Sequence, residues 1–204
     1  MDTVESLIRR ARQTKNGFVD IKQAAKEVIA RNSPQYCFRM AKTLFASEGF
    51  QERTLATFIL GYLAPTSGVS LRFLRTRVSQ DKDWRVQEIL AQAFDQFCSS
   101  RGYEQALAIL TDWLADSNPN VRRAVTEGLR IWTSRPYFRD HPERAIKLLS
   151  QMRDDNSEYV RKSVGNALRD ISKKHRPLVK VELERWNICS KGVEQTYKLA
   201  SKFL

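Results

Sequence analysis

Cysteine is scarce in this chain and histidine scarcer: Cys37, Cys98 and Cys189 of the first, His141 and His175 of the second, in 204 residues. No two cysteines form a CxxC pair, and the five residues together do not make a zinc-ligand set. A zinc site is therefore excluded, and the thiols read as buried or idle in a reducing compartment. The long apolar run of a membrane span is also lacking. The longest stretch, residues 55–64, is half a span and reads as a core helix. The opening MDTVESLIRR has no apolar run of a signal peptide. No glycine-rich phosphate loop, serine–histidine pairing or low-complexity segment is visible, and no stretch sustains the period-two alternation of a half-buried strand. These absences lead to an expectation of a soluble, cytoplasmic, all-helical protein with no cofactor, no metal and no membrane partner.

Charge is what the chain has in excess. Lysine and arginine number 35 against 23 aspartates and glutamates, a formal +12. The surplus lies at both ends: residues 1–50 carry 9 basic and 5 acidic side chains, 51–120 carry 7 and 8, 121–156 carry 8 and 5, and 157–204 carry 11 and 5. An extended polyanion suits such a surface, because phosphates neutralised by Lys and Arg release their counterions. Solvated helix faces produce the same composition, so charge alone does not decide.

The second half repeats. Aligning Asp81, Asp116 and Asp155 brings Val86, Val121 and Val160 together five residues on, and Leu90, Val125 and Val164 nine on. Ala93, Gly128 and Ala167 follow, then Phe94, Leu129 and Leu168. Spacings of 35 and 39 residues mark stacked helical hairpins. Ahead of each Asp, Val78, Trp113 and Met152, with Leu74, Ile109 and Leu148 one turn earlier, are expected to face inward. Cap and stop signals place helices at approximately 3–15, 19–31, 34–47, 51–63, 69–79, 84–100, 103–115, 119–133, 142–153, 158–174, 177–186 and 193–203. Ser33-Pro34, Asn118-Pro119 and His141-Pro142 open helices, Asp83 and Ser157 are candidate N-caps, and Gly49 is expected to close the third helix. The first half is helical too, without a repeat register that can be assigned. The expected fold is an all-α, HEAT-like helical-repeat solenoid of about twelve helices in a single domain, 1–204, its second helices lining a concave side.

Seven residues after each aligned Asp stand Glu88, Arg123 and Lys162. Side by side in a stack they would form a row with neighbours about 8–10 Å apart. An exposed inter-repeat ion-pair ladder, worth little, is the plain reading. Trp84 gives it another, since it stands four residues before Glu88 on the same helix face. A carboxylate beside an aromatic platform suits N-glycosidic cleavage: it opposes the positive charge of an oxocarbenium-like sugar or orients the attacking water. The indole stacks on a sugar or base, and nearby Arg and Lys clamp phosphates.

The segment SEYVRKSVGNALRDISKK (157–174) resembles the late repeat of the bacterial HEAT-repeat alkyl-DNA glycosylases, the AlkC and AlkD kind. NPNVRRAVTEGLRIW (118–132) and DWRVQE (83–88) are similar to the two repeats before it, and SKGVEQTYKLASKF (190–203) to the C-terminal helix. The AlkD kind carries Trp-x-x-x-Asp, a phosphate-binding Arg in the next repeat and a second Trp in the late repeat. By this resemblance Trp84 matches the first Trp, Glu88 the catalytic Asp, and Arg123 the Arg. Gly165-Asn166 stands where that family has Gly-Trp. Glu keeps the carboxylate with one methylene more reach, and the AlkC kind also relies on a cleft glutamate. Loss of the second indole removes one side of the cradle.

The resemblance implies a monomeric binder of double-stranded DNA that releases N3- or N7-alkylated purines, with Glu88 and Trp84 catalytic and Arg123, Lys162, Asn166 and Arg169 on the DNA. Two alternatives stand beside it. One is a catalytically silent binder of damaged or branched DNA; the other is a HEAT-type scaffold for a protein partner, which should show an exposed apolar patch on its second helices.

Overall fold

The computed structural model describes residues 4–13 and 18–204. Among the described residues there are twelve α-helices and no strand, and the fold is an all-α, HEAT-like helical-repeat solenoid. The chain falls into two compact units, Met1–Arg101 and Gly102–Leu204. Gly102, at φ +86°, stands at the division, in a left-handed conformation that suits glycine.

The first unit holds α1 (Val4–Gln13), α2 (Val19–Arg31), α3 (Pro34–Phe45), α4 (Phe50–Leu63), α5 (Gly68–Thr76), a 3-10 turn at Val78–Gln80, and α6 (Trp84–Arg101). Its centre is α4, which buries Leu55, Ala56, Phe58, Ile59, Leu60 and Leu63. A helix apolar on every side must be surrounded, and α1, α2, α3, α5 and α6 all pack on it. A Cβ placed on Gly61 would lie 2.7 Å from the Ala93 Cβ, so glycine sets how closely α4 and α6 approach. Arg12 Nε reaches the buried Glu52 carboxylate at 2.7 Å, tying α1 to α4.

The second unit holds α7 (Leu107–Leu114), α8 (Pro119–Trp132), α9 (Pro136–Asp140), α10 (Pro142–Gln151), α11 (Glu158–Glu184), α12 (Lys191–Ala200) and a last 3-10 turn at Ser201–Phe203. Here α11 is central, with α8, α10 and α12 against it. Gly165 does for α11 and α12 what Gly61 does in the first unit: a Cβ there would meet the Leu199 Cβ at 2.6 Å and the Thr196 carbonyl oxygen at 3.0 Å.

The aligned repeat positions are all buried, from Val86, Val121 and Val160 to Phe94, Leu129 and Leu168. The three aspartates share one task. Asp81 Oδ1 accepts the N–H of Asp83 (2.9 Å), Asp116 Oδ1 that of Asn118 (2.8 Å) and Asp155 Oδ1 that of Ser157 (2.8 Å). Each is thus a side-chain turn that aims the chain into the next helix. Six residues after each Asp, a long polar side chain reaches back to the same turn. Gln87 Nε2 donates to the carbonyls of Val78 and Asp81, Arg122 to those of Asp116 and Ser117, and Arg161 to that of Asp155. Arg53 does likewise to Ser47 and Glu48. The repeat register therefore extends into the first half, with Ser47 in the aspartate's place. Two of these arginines also clamp the aspartate of the following repeat, Arg53 on Asp81 (2.5 and 3.3 Å) and Arg122 on Asp155 (2.7 Å twice).

Five sequence expectations change. Gly49 does not close α3; at φ −70° it is the N-cap of α4, and α3 ends at Phe45. The segment 103–106 precedes α7 because the chain turns at Gly102. A short helix, α9, begins at Pro136, opened by the same X-Pro signal as its neighbours. The two helices expected at 158–174 and 177–186 form one element broken at His175 (φ −125°, ψ 42°), where Pro177 removes a backbone donor and crowds the preceding turn. Leu74, Val78 and Trp113 face inward as expected, whereas Ile109, Leu148 and Met152 are half-buried and Leu110 and Leu149 hold the core positions. The outer residues of the expected first helix, 3 and 14–15, lie outside the described residues.

Candidate nucleic-acid interface

Trp84 opens α6 and is 64% exposed, a large apolar ring held in solvent. The backbone beneath it is fastened from several sides. Asp83 caps the helix through Oδ1, which accepts the N–H of Arg85 at 2.9 Å. The Arg85 guanidinium grips both oxygens of Asp83 (2.9 and 2.7 Å) and lies 3.3 Å over the ring of Phe50. Its hydrogen bonds hold the Asp83 carboxyl below the usual range against the opposing effect of partial burial. Gln87 anchors the same turn to the 3-10 segment. The backbone that carries the exposed indole is therefore held on both sides of Trp84. Glu88 follows one turn later, half-buried at the flank of the packed stripe.

The other expected residues belong to the second unit. Arg123 is withdrawn: it is 8% exposed, its guanidinium lies 4.3 Å from the centre of the Tyr159 ring, and it stands 3.5 Å from Glu127. Lys162, Asn166 and Arg169 follow one another at helical spacing along α11. Lys162 is exposed and pairs at 2.7 Å with Glu158, and that hydrogen bond depresses the Glu158 carboxyl. Asn166 is half-buried, and Arg169 sits 3.4 Å from Asp170 and 6.0 Å from the Phe203 ring centre.

Sequence reasoning passed over the seam between α8 and α11. Thr126 Oγ1 donates to Ser163 Oγ (2.7 Å), which donates to Glu127 Oε1 (2.8 Å). Arg130 bridges Glu127 and Asp170, both at 2.9 Å. Burial raises the Asp170 carboxyl, but the hydrogen bonds from Arg130 and Lys173 outweigh it and leave its pKa lowered. The signal was present: Arg123, Glu127 and Arg130 stand at i, i+4 and i+7, as do Lys162, Asn166 and Arg169. Tyr159, 42% exposed beneath Arg123, had no sequence signal beyond its position two residues into α11. Among the described residues, no group of three or more His, Cys, Asp or Glu side chains could hold a metal ion, and no helix is long and apolar enough to cross a membrane.

Residues 18–194 match the family of DNA alkylation repair enzymes. The chain belongs to that family. The chain is similar to the crystal structure of AlkD2 from Streptococcus mutans, with 47% identity, a TM-score of 0.95 and 99% of each chain covered. It is similar also to the crystal structure of smu.31 from Streptococcus mutans UA159, at 46% identity, a TM-score of 0.92 and 98% of each chain. A curated relative, the uncharacterized protein YhaZ of Bacillus subtilis (strain 168), is 38% identical over 87 residues, which are 41% of this chain. The match spans about a quarter (24%) of that relative's length.

Proposed function

We propose that the protein binds alkylated double-stranded DNA and that Trp84 and Glu88 are its contact with the damaged nucleotide. The observation that carries this reading is the solvated indole of Trp84 on a rigidly capped turn, one helical turn from a half-buried carboxylate. Stacking on such a platform contributes roughly 1–3 kcal/mol per base by alanine substitution. In the second unit, the exposed Lys162 and, two turns along α11, the half-buried Arg169 are candidate phosphate contacts, which would add affinity without reading sequence.

The reaction proposed at this contact is hydrolysis of the N-glycosidic bond of N3- or N7-alkylated purines. Alkylation leaves the purine positively charged, so the C1′–N9 bond breaks with its electron pair passing to the ring, and the base departs neutral. No acid need protonate it, which suits a site without histidine. The sugar is left as a cation, which Glu88 stabilises. Water then adds at C1′ and gives its proton to the carboxylate or to solvent.

A second reading has its own observations. Asn166 offers no ring where the glycosylases that the chain resembles carry a second indole, and Arg123 is engaged with Tyr159 and Glu127 at 8% exposure. Both features fit a protein that holds DNA without cleaving it. One experiment separates the two: purified protein incubated with methylated genomic DNA, with released bases scored beside DNA affinity. Turnover that falls by about 10²–10³ in Glu88→Gln with affinity retained supports the reaction. Tight binding with no released base, in wild type and Glu88→Gln alike, leaves the binder. Affinity indifferent to salt sinks both.

A further inference from the structure

Away from Trp84 and Glu88, the first unit has a second built surface between α3 and α5. Phe38, Lys42 and Phe45 stand at i, i+4 and i+7 on α3, and Phe73, Arg77 and Gln80 repeat that spacing on α5 and the 3-10 turn after it. The two faces meet through Phe73. Its ring lies edge-on to Phe38, with centroids 6.2 Å apart at 87°, and to Phe45, 5.6 Å apart at the same angle. Beside this contact a cavity of about 410 Å³ opens, lined by Phe45, Ala46 and Phe73 together with Lys42, Arg77, Gln80 and Asp81.

The two segments that form this place carry cations and no carboxylate. Residues 33–47 and 64–80 contain no acidic side chain, and they contribute Arg39, Lys42, Arg72, Arg75 and Arg77. Arg39, Lys42, Arg72 and Arg77 are exposed. None of those four is in an ion pair with any described residue. Asp81, the one carboxylate lining the cavity, is already satisfied: both its oxygens are held by Arg53, and Oδ1 also accepts the Asp83 N–H. Cations left without carboxylates around an apolar hollow complement a ligand that carries both an apolar group and negative charge.

We infer that the α3–α5 groove binds an acidic peptide segment of a partner protein, one apolar side chain seated between Phe45 and Phe73 and flanking carboxylates on Lys42 and Arg77. Ring geometry favours a peptide over a nucleic-acid strand. Successive nucleobases stack on open ring faces, whereas Phe73 is already packed edge to face with both Phe38 and Phe45. The inference stands whether or not the protein cleaves DNA.

The test uses the full-length protein and fluorescein-labelled peptides of Asp and Glu flanking one central Phe or Leu, read by anisotropy. The same peptides with Ser at the centre, and a labelled oligo-dT strand, serve as comparisons. The Phe or Leu peptides are expected to bind at least about thirtyfold more tightly than the Ser peptide, as for an anchor in a pocket. The double variant K42E/R77E, which alters only exposed side chains, is expected to lose at least about tenfold. A DNA-affinity measurement on it, using methylated duplex, should match wild type and shows that the variant is folded. Peptide affinity insensitive to the centre residue or to K42E/R77E overturns the inference, as does absence of binding at peptide concentrations on the order of 1 mM. Oligo-dT that outcompetes the peptides and is itself lost in K42E/R77E reassigns the groove to nucleic acid.

Discussion

Residues 1–101 hold 16 basic and 10 acidic side chains and residues 102–204 hold 19 and 13, the same surplus of six, yet the two units dispose of it differently. In the second unit about half of the cations are engaged. Arg122, Arg123, Arg130, Lys162, Arg169, Lys173, Lys180 and Lys198 all lie in ion pairs, several of them within one helix. In the first unit Arg10, Arg12, Arg53 and Arg85 are paired, while α3 and α5 carry cations with no carboxylate on either helix. Net charge therefore says little about where a polyanion would be held. What counts is which cations are already answered within the chain, because an engaged one must give up a partner before it contributes to binding.

The largest effects should come from the clamps that both units share. Arg53–Asp81 and Arg122–Asp155 are the same device, with carboxylates 5% exposed in each and arginines 18% and 12% exposed. Removing the arginine leaves the aspartate charged, largely buried and held only by a backbone N–H, so Arg53→Ala and Arg122→Ala should each cost about 3 kcal/mol in urea unfolding. A loss below about 1 kcal/mol in one and not the other would mean that the units do not use the repeat turn alike.

Next in size come the two close approaches. Gly61→Ala and Gly165→Ala each add a Cβ within 3 Å of a neighbour, 2.7 Å from Ala93 in one case and 2.6 Å from Leu199 in the other. Alanine gains up to about 1 kcal/mol of helix propensity over glycine, and overpacking costs about 1–3. A net loss of about 1–2 kcal/mol is expected in both variants. Either one proving more stable than wild type by thermal melting would show that its helices can move apart.

Much of this comparison was legible in the sequence. Asp81, Asp116 and Asp155 fixed the register of three hairpins because the apolar positions behind them must all be buried, and all are. The register of the first half was not legible, because Ser47 stands where the aspartate is expected and only its contact with Arg53 reveals the equivalence. Trp84 and Glu88 were paired through their spacing alone, and the structure places both in the first turns of α6, Trp84 exposed and Glu88 half-buried. The fate of Arg123 was hidden. Its burial depends on Tyr159, 36 residues away on another helix, and no local pattern encodes that packing.

The helix caps contrast next. Asp83 makes a side-chain cap bond to α6, whereas Ser157, at the N-cap of α11, makes none. Asp83→Ala should cost about 1 kcal/mol and Ser157→Ala only a few tenths. The first contribution also depends on pH. The Asp83 carboxyl has a folded pKa below its unfolded value, so its stabilisation is complete above the unfolded value and disappears as pH falls through the folded one. The gap between wild type and Asp83→Ala should close in acid, and a gap constant to the lowest pH at which the protein folds would remove the charge from the account.

The smallest stability effect and the most informative binding effect should coincide at Lys162. Its pair with Glu158 is exposed and within one helix, so Lys162→Ala should change stability by less than about 0.5 kcal/mol. Arg123→Ala, by contrast, empties a buried position and disturbs the Tyr159 and Glu127 contacts, so any loss of DNA binding there mixes folding with recognition. Lys162 is free of that ambiguity. If its ammonium meets a phosphate, Lys162→Ala should weaken duplex binding equally across sequences and lower the slope of log affinity against log salt by about 1. An unchanged slope would take Lys162 off the DNA. Any salt-dependent binding would then fall to other cations, such as Lys42 and Arg77 of the first unit or Lys174 and Arg176 of the second.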